Sequence, residues 1–375
     1  MIYPIITTGL RDKCTAHEIK KRADSLVSEG LKDLGYKWIL LDDCWADTER
    51  DANSRLQPAP KQFPAGMEDL VSYVHNLGLK IGLYTCIGTE TCKKGRPGSY
   101  GHYEIDAQTF ADWQVDMVKV DNCNKPGNET QQDLFTEMSK ALNATGRPML
   151  YAICNWGEEE VYNGWGREVA QQFRIAMDHL PFFHYPGTES GAGYGGGVSE
   201  IIEYMADLPT ELNQPYGWFD PDFLETLMPG FMSFTSSRTE FTFWSLFAAP
   251  LLVATDVTDM SDEKRSILMN QDVLNVHWDS LYAPAKRIIN NNAVDGSQVW
   301  KRDLLNGDYA IVYYNSNNDT SVTISSTFNQ LGLKGNSYSL VDLWKGTVIG
   351  TFTDSYSVTL DVHDVQFIRA SAVTN

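Results

Sequence analysis

Asp116-Met117-Val118-Lys119-Val120-Asp121-Asn122-Cys123 is the stretch on which the reading of this chain turns. Its core is short, apolar and β-branched, as a buried strand requires, and it ends on a carboxylate. Residues two apart in a strand face the same way, which sets the Lys119 ammonium beside the Asp121 carboxylate. A nearby cation favours the ionised acid, and an ionised acid at the mouth of a fold can act as a nucleophile. A buried Lys–Asp pair with a purely structural role is the other reading, and the stretch by itself leaves both open.

Around it, apolar strands alternate with helical segments. Strands are expected at Ile2 to Thr7, Tyr36 to Leu41, Leu79 to Tyr84, Met117 to Val120 and Pro148 to Ile153. Helical spacing covers Glu18 to Glu29, Gly66 to Leu77, Ala107 to Trp113 and Gln131 to Leu142. Alternation of this kind implies a parallel sheet, and its continuation past five units implies closure into a barrel, with residues 171–177, 216–219 and 251–255 as the last three strands. Phe241 to Ala254, too short for a membrane span and broken by Pro250, reads as a buried helix running into a buried strand. The glycine-rich Tyr185 to Gly197 reads as a long loop on the site face.

From about Tyr282 no helical pattern intervenes. Seven alternating or apolar runs between Val299 and Arg369, separated by Asn, Gly, Asp and Ser turns, predict an antiparallel β-sandwich. The expected architecture is α/β: a (β/α)8 TIM barrel over residues 1–281 followed by a C-terminal antiparallel β-sandwich over 282–375.

Composition narrows the partners. The 375 residues, 42% hydrophobic and 21% charged, describe a soluble globular chain. A net charge of -19 repels phosphate backbones, which argues against nucleic acid, and no uninterrupted apolar span argues for a membrane. No secretory signal is visible at the N-terminus. None of the 6 cysteines forms a close Cys-x-x-Cys pair, which argues against zinc. Asn128, Asn143 and Asn318 open N-glycosylation acceptor patterns, weak support for secretion.

In a barrel of this type the working residues sit at the carboxyl ends of the strands. Those ends carry Asp42 and Asp43, Tyr84, Lys119 and Asp121, Cys154, Asn155 and Trp156, Arg174 and Asp178, and Asp220 and Asp222. So many converging carboxylates require a charged or hydroxyl-rich occupant, a metal or a sugar. Histidine is absent from these ends except His179, although a carboxylate site for magnesium or calcium stays open. For a sugar, Trp45, Trp156, Trp165 and Trp218 offer apolar faces, Lys119 and Arg174 offer donors, and glycoside hydrolysis needs two carboxyl groups, one ionised and one protonated.

Eight segments carry a specific resemblance: Leu41-Asp42-Asp43-Cys44-Trp45, Gln62-Phe63-Pro64-Ala65-Gly66-Met67, Lys80-Ile81-Gly82-Leu83-Tyr84, Pro97-Gly98-Ser99, Asp106-Ala107-Gln108, Lys119-Val120-Asp121-Asn122-Cys123, Cys154-Asn155-Trp156-Gly157 and Asp220-Pro221-Asp222-Phe223. In this order they resemble the family 27 glycoside hydrolases, the α-galactosidases (melibiases) of fungal and plant type, from about Cys14 to the C-terminus. The resemblance implies a retaining exo-glycosidase that removes terminal α-D-galactosyl residues from small carbohydrates, with no cofactor and no metal. It makes Asp121 the nucleophile and Asp178 the general acid/base. Asp42 and Asp43 would take the 4- and 6-hydroxyls, Lys119 the 3- and 4-hydroxyls, and Arg174 and Asp222 the 2- and 3-hydroxyls. Tyr84 would reach the nucleophile, and Cys154 and Trp156 would line the pocket near C2 and C6. Lys119 and Arg174 are expected to depress the pKa of nearby acids, while Asp178 must be held protonated.

The resemblance further implies disulfides Cys92–Cys123 and Cys14–Cys44, with Cys86 and Cys154 free, a secreted or lysosomal/vacuolar destination, and a monomer or homo-oligomer. Two places depart from the family pattern. The first-strand tryptophan is missing from Met1-Ile2-Tyr3-Pro4-Ile5-Ile6-Thr7-Thr8-Gly9, and Phe173 replaces the tryptophan before Arg174. Other specificities of the family, α-N-acetylgalactosaminidase or β-L-arabinopyranosidase, and a galactose-binding protein without catalysis are the competing readings.

Overall fold

Eight short parallel strands carry the first part of the chain: β1 Ile5–Thr8, β2 Trp38–Leu41, β3 Lys80–Cys86, β4 Met117–Asp121, β5 Leu150–Cys154, β6 Gln172–Arg174, β7 Trp218–Asp220 and β8 Leu252–Val253. The structure, a computed structural model, describes residues 14–185 and 195–373 together with the strand Ile5–Thr8. The strands form one sheet in the order β7-β6-β5-β4-β3-β2-β1-β8. Closure comes four residues past β7: Leu224 donates its N–H to Leu252 O at 2.7 Å and accepts that of Ala254 at 3.0 Å. Helices α1 Ala16–Ser28, α2 Gly66–Asn76, α3 Tyr103–Asp112, α4 Gln131–Ala144, α5 Trp165–Val169, α6 Val198–Asp207 and α7 Phe234–Leu246 connect successive strands, and α8 Asp262–Leu268 and α9 Gln271–His277 follow β8. This is the expected barrel. Most of the anticipated Tyr185 to Gly197 loop lies outside the described residues.

Strand parity positions the site. In β4, Val118 and Val120 join the large core between strands and helices. Met117, of opposite parity, packs with Trp38, Leu40, Ala152 and Leu252 in a separate cluster filling the barrel interior. Side chains alternate across a strand, and so Lys119 and Asp121 stand above Met117 on the inner face, rising to the mouth. The same parity carries Ala152 up to Cys154.

The second part is antiparallel: β9 Lys286–Asn291, β10 Ser297–Asp303, β11 Tyr309–Asn315, β12 Val322–Thr327, β13 Ser337–Asp342, β14 Thr347–Thr353, β15 Ser355–Leu360 and β16 Val365–Ala372. A six-stranded sheet, β14-β13-β16-β11-β10-β9, faces the pair β12-β15. Val299, Ile311 and Tyr313 fill the sandwich core, whereas Trp300, Val312, Tyr314 and Phe367 join the core of the barrel. The strand β9 was not expected. Its residues are half-buried or exposed, so no alternation marks it, and it exists because β10 offers a free edge.

Disulfides join Cys14 to Cys44 and Cys92 to Cys123, while Cys86 and Cys154 are free and buried, as the resemblance implied. Among the described residues no helix is long and apolar enough to cross a membrane.

Candidate active site

Lys119 is buried on the inner face of β4, and its Nζ donates to Asp42 Oδ2 at 2.7 Å, directly after β2. The ammonium also stands 4.7 Å from the ring centroid of Phe223 and 5.7 Å from that of Tyr84. The ammonium expected beside Asp121 thus bonds to Asp42, while its charge still acts on Asp121. Two residues of separation on one strand share a face but span more than a side-chain contact, and Asp42 of the next-but-one strand is nearer to hand.

Asp121 is held by two donors, the Tyr84 hydroxyl on Oδ2 at 3.0 Å and the Asn122 N–H on Oδ1 at 2.8 Å. Burial pushes its pKa up to about 6, against the opposing charge of Lys119 and the Asn122 bond, while the charge of Asp178 pushes it further the same way. The expected depression by Lys119 is outweighed, because desolvation acts on the carboxylate itself and Lys119 is already paired with Asp42.

Arg174, the last residue of β6, is the second centre. Its Nη2 lies 3.1 Å from Asp178 Oδ1 and 2.9 Å from Asp222 Oδ2, and its Nη1 lies 3.4 Å from Cys154 Sγ. The side chain of Asp178 is 63% exposed, that of Asp222 only 5%. Burial raises the Asp178 pKa, but the charge of Arg174, that of Lys119 and the Arg174 hydrogen bond together bring it below its ordinary value. This reverses the expectation of a protonated Asp178, since the guanidinium prefers the ionised partner. Burial pushes Asp222 up to about 7, with Arg174 opposing. Asp222 sits at φ 82°, its N–H donating to Asp220 Oδ1 at 2.8 Å.

Asp43 is held from the opposite wall, by the Lys93 N–H on Oδ2 at 2.8 Å. Its Oδ1 is buried, with the Arg96 guanidinium 4.0 Å away. Trp156 is half-buried at φ 60°, followed by Gly157 at φ 78°. A Cβ on Gly157 would lie 2.1 Å from Ile175 O, so only glycine lets the chain after β5 turn across β6.

The other tryptophans are elsewhere. Trp45 is buried against Phe110 and Trp113, Trp165 stacks on Phe135, and Trp218 begins β7 at the far end of the barrel. Phe173 is also outside the pocket, packed 5.6 Å from Phe219 in the core, so its departure from the family pattern leaves the site untouched. His179 is buried beside Asp222, His102 bonds to Tyr100 O, and His184 lies 3.3 Å from Glu200. Cys92, Asp121 and Cys123 bring three donor atoms within 4.8 Å of one another, but the two sulfurs are bonded to each other and leave no thiolate for a metal. Lys93, Asn122 and Phe223 are the contributors that strand-end reasoning missed. Two of them adjoin a named acid in sequence, which is the one signal that would have found them.

The arrangement gathers Asp42, Tyr84, Lys119, Asp121, Cys154, Arg174, Asp178 and Asp222 from six strand ends, with Asp43 beside them. The sequence profile described as Alpha galactosidase A matches residues 7–279, and that of the Alpha galactosidase C-terminal beta sandwich domain matches 294–370. An α-galactosidase of Cyamopsis tetragonoloba is 33% identical over 92% of this chain and 79% of its own length. The crystal structure of α-galactosidase I from Mortierella vinacea superposes with a TM-score of 0.93 at 31% identity, covering 99% of this chain and 97% of its own. An α-galactosidase of Saccharomyces cerevisiae solved with raffinose gives 0.92 at 25% identity, over 99% and 98% of the two chains. Barrel, sandwich and strand-end acids agree with these similarities, and the chain is a member of the α-galactosidase A family of glycoside hydrolases.

Proposed function

We propose that this chain hydrolyses terminal α-D-galactosides with retention of configuration, Asp121 acting as nucleophile and Asp178 as general acid/base. The observation that carries the assignment is the difference between the two carboxyl groups. Asp121 is buried and gripped by Tyr84 and Asn122, whereas Asp178 is exposed at the rim, where a leaving group departs. Asp121 attacks the anomeric carbon while Asp178 gives its proton to the departing oxygen. Asp178 then deprotonates a water that releases galactose, and two inversions give net retention. Asp42, Asp43, Lys119, Arg174 and Asp222 hold the hydroxyls, and Cys154 and Trp156 line the wall.

In the unliganded protein Asp121 sits high and Asp178 low, so the minority with an ionised Asp121 and a protonated Asp178 is the reactive species. Two disulfides and exposed acceptor asparagines at 128, 143 and 318 support a destination outside the cytosol. The test is a panel of nitrophenyl glycosides with the product anomer followed by NMR. The α-galactoside is turned over in preference to the α-N-acetylgalactosaminide and the β-L-arabinopyranoside, and the galactose first formed is α. Initially β-configured galactose overturns the double displacement.

A further inference from the structure

His179 follows Asp178 in the chain, yet it is fully enclosed where its neighbour meets solvent. Its main-chain N–H donates to Asp222 Oδ2 at 2.8 Å, and its ring Nδ1 lies 2.8 Å from Phe223 O. A carbonyl oxygen only accepts, so Nδ1 carries the proton and Nε2 is bare, and Nε2 has no partner among the described residues. The ring stands 5.2 Å from Trp244, whose Nε1–H donates to Asp222 O at 2.9 Å. Behind them lies Glu240, buried in α7, with Oε1 3.6 Å from His179 Nδ1. Glu240 accepts the Glu225 N–H at 2.8 Å and the Thr226 hydroxyl at 2.9 Å, which ties down the segment beyond Phe223.

These contacts converge on a strained residue. Asp222 is an aspartate at φ 82°, a conformation that persists only where its surroundings over-determine it. The His179 main chain holds its carboxylate, Trp244 its carbonyl and the His179 ring the next carbonyl, that of Phe223. Asp222 and Asp178 in turn share one guanidinium, that of Arg174.

We propose that His179 is a positioning residue: by fixing Asp222 it keeps Arg174 divided between Asp222 and Asp178, so that the acid/base carboxyl is not held by the guanidinium alone. The inference rests on the assignment of Asp178 as acid/base. Without the Nδ1 donor, Phe223 O loses its partner, Asp222 relaxes, and Arg174 passes to Asp178. A carboxylate held more tightly by a cation gives up its protonated form, and less of the enzyme can protonate a leaving oxygen. The charged or titratable groups facing His179 are Arg174, Glu200, Asp222 and Glu240, and those facing Asp178 are Arg174, Lys119, Asp121 and Asp222.

Three variants of the full chain decide it. His179→Asn places an amide donor where Nδ1 was, His179→Gln places it nearer Nε2, and His179→Leu removes it. The Gln and Leu variants lose about tenfold or more in kcat/KM on an α-galactoside with a sugar leaving group, and no more than about threefold on the nitrophenyl galactoside, whose phenolate departs without a proton. The acid limb of their pH profile moves to lower pH, and the Asn variant stays within about threefold of wild type on both substrates. Wild-type activity in His179→Gln, or equal losses in Asn and Gln on both substrates, overturns the proposal. Galactose affinity by calorimetry separates it from the function reading. Should wild type turn over neither galactoside, the hydrolase assignment fails, and affinity kept in Asn but weakened in Gln still upholds the lock on Asp222, whereas equal affinities reject it.

Discussion

Asp121 shows how one carboxyl group couples stability to chemistry. Its pKa in the folded chain is about 6 against 3.8 unperturbed, so folding favours the neutral form. The stability linked to it is fully present below about pH 3.8 and is lost as pH rises through about 6. At about 1.4 kcal/mol per unit, an ionised Asp121 costs the fold about 3 kcal/mol. Asp121→Asn therefore melts higher than wild type above pH 6 and level with it below pH 4, while losing about a thousandfold or more of its turnover. Thermal melts at the two pH values together with nitrophenyl galactoside assays check both halves. The same shift sets the rate profile. With Asp121 high and Asp178 low, kcat/KM peaks at acidic pH, and its alkaline limb falls at about 6, where the buried Asp121 titrates.

At the scale of elements, the junction of barrel and sandwich hangs on Arg302 of β10. It is fully buried and donates only to carbonyls: Val276 O at 3.0 Å, Ser245 O at 3.3 Å, Leu246 O at 3.4 Å and Asp279 O at 3.3 Å. These lie at the C-terminal ends of α7 and α9, where unpaired carbonyls and the helix dipoles favour a cation. Burial pulls its pKa down to about 10, leaving it charged at any physiological pH. Arg302→Met strands four acceptors and lowers unfolding stability by about 3 kcal/mol, with kcat/KM unchanged well below the melting temperature. Denaturant titration measures the first and steady-state assay the second. Elements also mark where the chain is readable. β2 is an uninterrupted apolar run because both its faces are covered, whereas β9 needs a neighbour's edge and α5, of five residues, has no room for a period.

Over the whole molecule, the two disulfides span separations of 30 and 31 residues, and each contributes about 3 to 4 kcal/mol by restricting the unfolded chain. Their effects on function differ. Cys92 Sγ lies 3.1 Å from the Tyr84 hydroxyl that grips Asp121, and the next residue, Lys93, holds Asp43. Replacing Cys14 and Cys44 with serine lowers the melting temperature alone. Replacing Cys92 and Cys123 lowers it comparably and also reduces kcat/KM by about tenfold or more, because two site groups lose their placement.

The sequence alone determined most of the order of strands and helices, the barrel and sandwich and the ends from which the acids project, while the two cysteine pairs were implied only by the family resemblance. These are legible because strand and helix periods are local and a strand end marks where a side chain emerges. Tertiary structure alone decided that Lys119 pairs with Asp42, that Trp45 and Phe173 serve the core, that Arg174 is shared between two acids, and that Asp121 is raised while Asp178 is lowered. Each of those outcomes depends on burial and on partners brought together from distant parts of the chain. Desolvation and pairing are properties of the packed site, and no local pattern of residues encodes how they balance.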